Sequence, residues 1–243
     1  MAPHQLPAFQ FQNIHYTINR TAILKNITGS IPKAKITALV GPSGAGKTTL
    51  LKLCNGLLSP TAGSIFVEGQ PIDQIAPPTL RRHVGMVLQN SPMIKGTVFD
   101  NLALPLRLQG RELDEGEAVA LLEKTGLKRT FLRSDVLDLS GGQRQKVSIA
   151  RTLANTSTIL LFDEITSALD RTSVHEIEEL VKELKQANST SVIWITHNLE
   201  QAIRVSDYLW VMMDGEVVEM GGPTILESPT NERVAKFVKG EQL

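Results

Sequence analysis

Apolar residues along this 243-residue chain fall into two rhythms. Clusters or alternations of β-branched, aliphatic and aromatic residues occupy Phe9 to Ile14, Ala22 to Ile27, Ile36 to Val40, His83 to Leu88, Thr158 to Phe162, Ser191 to Ile195, Tyr208 to Met213 and Glu216 to Met220. Each predicts a strand. The run Ile36-Thr37-Ala38-Leu39-Val40 does not alternate, which fits a strand covered on both faces. Asp214-Gly215 supplies a hairpin turn between the last two strands. The second rhythm is helical. Leu50, Leu51, Leu53 and Leu57 share the inner side of a helix predicted over Thr48 to Leu58. Between Ser91 and Ala154 strand signals are few, and helical patterns recur at Thr97 to Leu104, Asp114 to Lys124 and Gly142 to Leu153. The expectation is a layered α/β fold in one domain over residues 1–243, with residues 1–90 and 155–243 as the core and 91–154 as an inserted helical subdomain.

Composition narrows the class. Hydrophobic residues make up 42% and charged residues 21%, as in ordinary globular domains. The 25 Lys and Arg balance the 25 Asp and Glu, so nothing calls for nucleic acid as a partner. A single cysteine, Cys54, permits no intrachain disulfide and points to a reducing compartment, with the thiol buried on a helix. The opening stretch, residues 1–7, has neither the basic nor the apolar segment of a signal peptide. Apolar runs stop far short of the roughly 20 residues that cross a bilayer, so membrane contact is expected only through a partner.

Candidate chemistry begins where the strand ending at Val40 meets Gly41-Pro42-Ser43-Gly44-Ala45-Gly46-Lys47-Thr48-Thr49. Glycines let backbone N–H groups close around phosphate oxygens, Lys47 neutralises the outer phosphates, and the Thr48 hydroxyl is a magnesium ligand. Strand, glycine loop and helix in that order make a chance turn a poor explanation. Further on, Ile159-Leu160-Leu161-Phe162 ends in Asp163 and Glu164. A carboxylate at a strand end suits magnesium, and the next one suits a general base for water attacking a γ-phosphate. His197 follows the strand Val192 to Ile195 and can donate to the same phosphate, although a lone histidine there is more often a cap. Gln89, after Val84 to Leu88, offers an amide to metal or water, or is an ordinary loop residue. Tyr16 either stacks on an adenine ring or covers the β-rich N-terminal portion.

Leu139-Ser140-Gly141-Gly142-Gln143 opens another predicted helix. Hydroxyl, backbone N–H groups and the positive helix end make a second anion site, or simply a capped helix. Two such termini with one Asp-Glu pair are explained economically if Ser140 closes over the nucleotide of another molecule.

The ordered set Tyr16, GPSGAGKTT, Gln89, LSGGQ, ILLFDE, Ser167-Ala168-Leu169-Asp170 and His197 resembles the ATP-binding subunit of ABC transporters over nearly the whole chain. The resemblance implies the P-loop NTPase fold of ABC ATPases, with an N-terminal antiparallel β portion, and ATP hydrolysis with Mg2+ as cofactor. It implies that Tyr16 meets the adenine and that Gln89 and His197 face the γ-phosphate side. Ser140, Gly141, Gly142, Gln143 and the Asp170 carboxylate would serve ATP across a head-to-tail dimer. It also implies a second ATPase subunit, in the simplest case a second copy, a membrane permease contacted through Gln89 to Asn101, and a place on the cytoplasmic face of the cell membrane. Pro92, Met93, Ile94, Val98 and Phe99 suit either that contact or a helical core. Ile165 and Lys146 depart from the proline and arginine of many relatives. The stretch Asp163 to Asp170 looks like the iron-export type, while length and Ser-Ala-Leu-Asp also suit phosphate import. The alternative is a soluble ABC ATPase of a non-transport assembly, such as an iron-sulfur scaffold complex.

Overall fold

The computed structural model describes residues 6–241, so the reading of the opening stretch lies, for its first five residues, outside the described residues. Two sheets form. The smaller contains β1 (Phe9–Ile18), β2 (Thr21–Ile31), β4 (Ala62–Val67) and β5 (Gln70–Pro71), antiparallel, in the order β2-β1-β4-β5. The larger contains β3 (Ile36–Val40), β6 (Val84–Leu88), β7 (Ile159–Asp163), β8 (Ser191–Ile195), β9 (Tyr208–Met213) and β10 (Glu216–Gly221), in the order β10-β9-β3-β8-β7-β6. Its strands run parallel except for β10, which returns from β9 through Asp214 and Gly215, both at positive φ. That conformation matches the twist of a two-residue hairpin.

Successive side chains of a strand point to opposite faces, and here both faces are covered. On β7, Ile159 and Leu161 join the cluster between the two sheets, while Leu160 and Phe162 join a second one. The first cluster encloses α1 (Lys47–Cys54) through Leu50, Leu51, Leu53 and Cys54. Burial pushes the Cys54 thiol up and out of the reactive range. The second cluster is closed by Ile177, Leu180, Val181 and Leu184 of α6 (Arg171–Asn188). A fourth lies under α7 (Leu199–Val205) and α8 (Glu232–Lys239). Between β6 and β7 the chain builds a separate helical core from α3 (Val98–Arg107), α4 (Glu115–Lys124) and α5 (Gly141–Leu153). Val98 is inside it, Met93 and Phe99 lean on it, and Pro92 and Ile94 stay exposed. Among the described residues no helix is long and apolar enough to cross a membrane.

Some expectations change. The first helix stops at Cys54 rather than Leu58, because Gly56 adopts φ 67° and the N–H groups of Leu57 and Leu58 turn back to the Lys52 carbonyl. Leu57 is therefore 52% exposed instead of inward. The α3 helix runs past Leu104 through Pro105 to Arg107, sustained by the Leu102, Ala103 and Leu106 packing. β4 and the short α2 (Pro77–His83) carried no reading from the pattern.

Candidate functional site

Parallel order decides what meets what. β3, β8, β7 and β6 lie side by side, so the residues after their C-terminal ends emerge along one edge: the 41–46 loop, Thr196 and His197, Asp163 with Glu164, and Gln89. In open α/β sheets this edge is where ligands bind.

The 41–46 loop delivers the chain into α1 with Gly46 at φ 94°, a left-handed conformation, and a Cβ there would lie 2.6 Å from Leu24 Cδ2. The helices α3 to α8 all begin under a side-chain cap, from Thr97, Asp114, Ser140, Asp170, Asn198 and Asn231. α2 replaces its first N–H groups with prolines. Among the described residues α1 alone has neither device, so its first-turn N–H groups remain open to an anion. They open into a cavity of about 350 Å³ lined by residues 43–49 together with Ile23, Glu164 and His197.

Charge around this cavity is arranged for a ligand. The Lys47 ammonium donates to the Gly41 and Pro42 carbonyls at 2.7 and 2.9 Å. Burial pushes it below its ordinary value, against the opposing charges of Glu164 and Asp163. Thr48 Oγ1 donates to Asp163 Oδ1 at 3.0 Å. Burial above all, with the Glu164 charge, raises the Asp163 carboxyl above its usual range despite that hydrogen bond. The Thr48 hydroxyl and the Asp163 carboxylate, converging at 3.0 Å, are a donor set suited to a small divalent cation. His197 Nε2 lies 2.7 Å from Glu164 Oε1, which joins the two candidates. Glu164 holds φ 53°, left-handed for a residue that is not glycine, and its N–H donates to the Ile195 carbonyl.

The remaining candidates stand around this centre. Gln89 is not joined to Thr48 and Asp163: its Nε2 donates to Ser167 Oγ at 2.8 Å, and that hydroxyl donates to the Glu164 carbonyl. Tyr16 sits on β1 opposite Leu24, beside the Ile23 that lines the cavity, half-buried against the first cluster. Residues 140–143 lie outside the cavity. Ser140 Oγ accepts from the Gln143 N–H at 3.2 Å, and Gln143 Oε1 accepts from the Ser140 N–H at 2.9 Å, a reciprocal capping box. Gly142 packs on Ser173, and Asp170 caps α6 by accepting from the Ser173 N–H and hydroxyl. Those bonds hold the Asp170 carboxyl below the usual carboxylate range.

Two neighbours had no signal in the sequence. Ile23 looks like any strand residue, and Gln145 looks like helix surface. Gln145 is in fact buried, accepts from Ser91 Oγ and donates to the Leu88 carbonyl at 3.4 Å. It thereby ties α5 to both flanks of Gln89.

The family model described as ABC transporter matches residues 24–167. A putative ABC transporter ATP-binding protein, YjkB of Bacillus subtilis (strain 168), is 41% identical over 240 residues, 97% of this chain and 95% of that protein. The phosphate import ATP-binding protein PstB of Saccharolobus solfataricus is 39% identical, covering 96% and 95%. The probable iron export ATP-binding protein FetA of Escherichia coli is 34% identical, covering 80% and 87%. Among solved structures, cbiO1 from Clostridium perfringens, part of the ABC transporter complex cbiONQ, gives a TM-score of 0.84 at 27% identity over 95% of both chains. A dimeric ATP-binding cassette in a post-hydrolysis state with ADP and Pi gives 0.77 at 29% identity, over 88% of this chain and 98% of that one. A phosphate-ready helix end facing a carboxylate and histidine agrees with these likenesses, and the chain belongs to the ABC transporter family as an ATP-binding subunit with ATPase activity.

Proposed function

We propose that this subunit drives a separate membrane permease by closing head-to-tail on a second ATPase subunit around Mg-ATP and reopening after hydrolysis. The observation that carries the reading is the Glu164–His197 pair at 2.7 Å, facing the cavity into which the uncapped α1 opens. Gly41 to Thr49 wrap the phosphates, and Lys47 exchanges its two carbonyl partners for β- and γ-phosphate oxygens. Thr48 and Asp163 would hold Mg2+, which supplies charge neutralisation across the phosphates. Glu164 takes the proton of the attacking water, and His197 orients that carboxylate and donates to the γ-phosphate. Gln89, bonded to Ser167 and so to the Glu164 backbone, senses the same end of the nucleotide. Tyr16 covers the adenine.

Ser140, Gly141, Gly142 and Gln143, with Asp170, serve the nucleotide of the second subunit. Their exclusion from this chain's own cavity supports that division. The dimeric cassette with ADP and Pi supports it as well. The loop from Gln89 to Asn101, with Pro92 and Ile94 exposed, is the permease contact, which sets the subunit on the cytoplasmic face of the membrane. Relatives named for phosphate import and for iron export lie at comparable identity, so the cargo follows the permease.

Glu164→Gln tests the chemistry: ATP binding persists, turnover falls by about 10²- to 10⁴-fold, and a dimer accumulates in size-exclusion chromatography with ATP. Undiminished turnover would refute the base. Co-purification tests the partner. A detergent-extracted complex with a hydrophobic permease is expected, and a stable soluble complex in its place counts against transport.

A further inference from the structure

We propose that Gln201 is a positioning residue for ATP hydrolysis, its buried amide tying the loop that carries Glu164 to the loop that carries His197. The inference rests on the assignment of those two residues as the hydrolytic pair. Thr166 lies two residues beyond Glu164, and Thr196 immediately precedes His197. Both hydroxyls donate to one atom, Gln201 Oε1, at 3.1 and 2.7 Å. On its other side Gln201 Nε2 donates to Glu178 Oε1 at 2.9 Å. Glu178 is held in turn by Arg204, whose Nη2 and Nε donate at 2.6 and 2.9 Å.

The amide orientation follows from chemistry. An ionised carboxylate only accepts, so the Gln201 nitrogen must face Glu178, and the oxygen is left for the two hydroxyls. Gln201 is 2% exposed, and the Thr166 and Thr196 residues are buried with it. A polar hub this dry is rigid when every member is satisfied, and here each side-chain group has its partner. Among the described residues the backbone adds one bridge beyond the β7–β8 ladder, the Glu164 N–H to the Ile195 carbonyl at 3.2 Å. Behind the Glu164–His197 contact, Gln201 adds a second side-chain bridge and anchors it to α6 through Glu178. It touches neither nucleotide-facing atom of the pair, so its effect is on their separation and not on ATP affinity.

The amide is needed on both faces at once. A carboxyl at 201 would set two buried carboxylates against each other, whereas Thr166→Val and Thr196→Val each remove one donor to the Gln201 oxygen and leave the Glu178–Arg204 pair in place. The test uses the full chain, with kcat and KM for Mg-ATP and thermal stability measured for Gln201→Glu, Thr166→Val, Thr166→Val/Thr196→Val and Glu164→Gln. Expected is a fall in kcat of about tenfold or more for Gln201→Glu with KM within about twofold. Thr166→Val, which removes one hydroxyl and no charge, is expected to lower kcat by about threefold with KM unchanged, and the double threonine variant by about tenfold, and these two decide the matter if Gln201→Glu does not fold. Wild-type kcat in a folded Gln201→Glu or in the double threonine variant, or a KM that rises in step with the loss of kcat, overturns the inference. Wild-type turnover in Glu164→Gln overturns the underlying pair itself, a separate result.

Discussion

Two helices of this protein begin in glycine-rich turns, and they are finished in opposite ways. α1 enters from Gly46 with no side chain over its first N–H groups, and its end opens into the cavity with Glu164 and His197. α5 enters from Ser140 with its donors closed by a reciprocal Ser140–Gln143 box. One terminus carries an unsatisfied demand for an anion, which the folded chain cannot meet by itself. The other is content without a ligand. On the proposed composite site, the nucleotide would be collected by α1 first, and α5 would join it as an already rigid lid whose shape, not whose hunger for charge, selects the closed dimer.

The largest expected effect separates the two ends by binding. Lys47→Ala weakens ATP binding to the monomer by about a hundredfold, ~3 kcal/mol, because a charged donor to phosphate is lost. Ser140→Ala leaves that affinity unchanged, and fluorescent-nucleotide titration of both variants checks the contrast. Next come the two glycines of α5. A Cβ at Gly142 would sit 2.5 Å from Ser173 Oγ, so Gly142→Ala costs about 1–3 kcal/mol in denaturant unfolding. At Gly141 the nearest atom, Leu169 Cδ2, is 3.4 Å away, so Gly141→Ala folds at least as well as the wild type. If Gly141→Ala nonetheless fails to dimerise with ATP, the missing side chain serves the second subunit. Normal dimerisation would mean that the face at Gly141 does not meet the second subunit.

Smaller effects follow from the caps. Ser140→Ala lowers stability by about 1 kcal/mol, a shift in Tm of about 2–4 °C, and impairs ATP-dependent dimer formation by light scattering. The smallest effect is on pH. In α3 the Asp100 carboxylate accepts from the Thr97 hydroxyl and N–H, which, with Arg107, holds it below its usual range. A depressed carboxyl contributes stability that is complete above the unfolded value near 3.9 and is lost as pH falls through the folded value. Amide protection factors at the start of α3 should therefore fall in acid, more than at α1, which has no titratable cap. Asp100→Asn removes that dependence.

Legibility in the sequence follows the range of each interaction. Strands buried on both faces, the Asp214-Gly215 turn and the 41–49 loop are written in neighbouring residues, and all lie where the pattern puts them. The end of α1 differs from the pattern because Leu57 keeps the helical spacing while Gly56 turns the chain away. β4 was invisible because its first three residues, Ala62-Gly63-Ser64, are exposed and small. At the site, residue types were legible and partners were not. Nothing near His197 announces Glu164, which is 33 positions away and reaches it only because β7 and β8 pair in register, Asp163 beside Ile195. The hub at Gln201 has no local signal, since nothing beside it in the sequence announces Thr166 or Glu178.

Glu164 also shows where fitness and robustness part. A non-glycine residue held at φ 53° carries a backbone penalty of about 1–2 kcal/mol. On the catalytic role proposed for Glu164, a search for sturdier variants that scores folding alone would favour glycine or asparagine at this position and lose turnover. On that role, the left-handed turn at the end of β7 gives up backbone stability at a single residue in exchange for turnover.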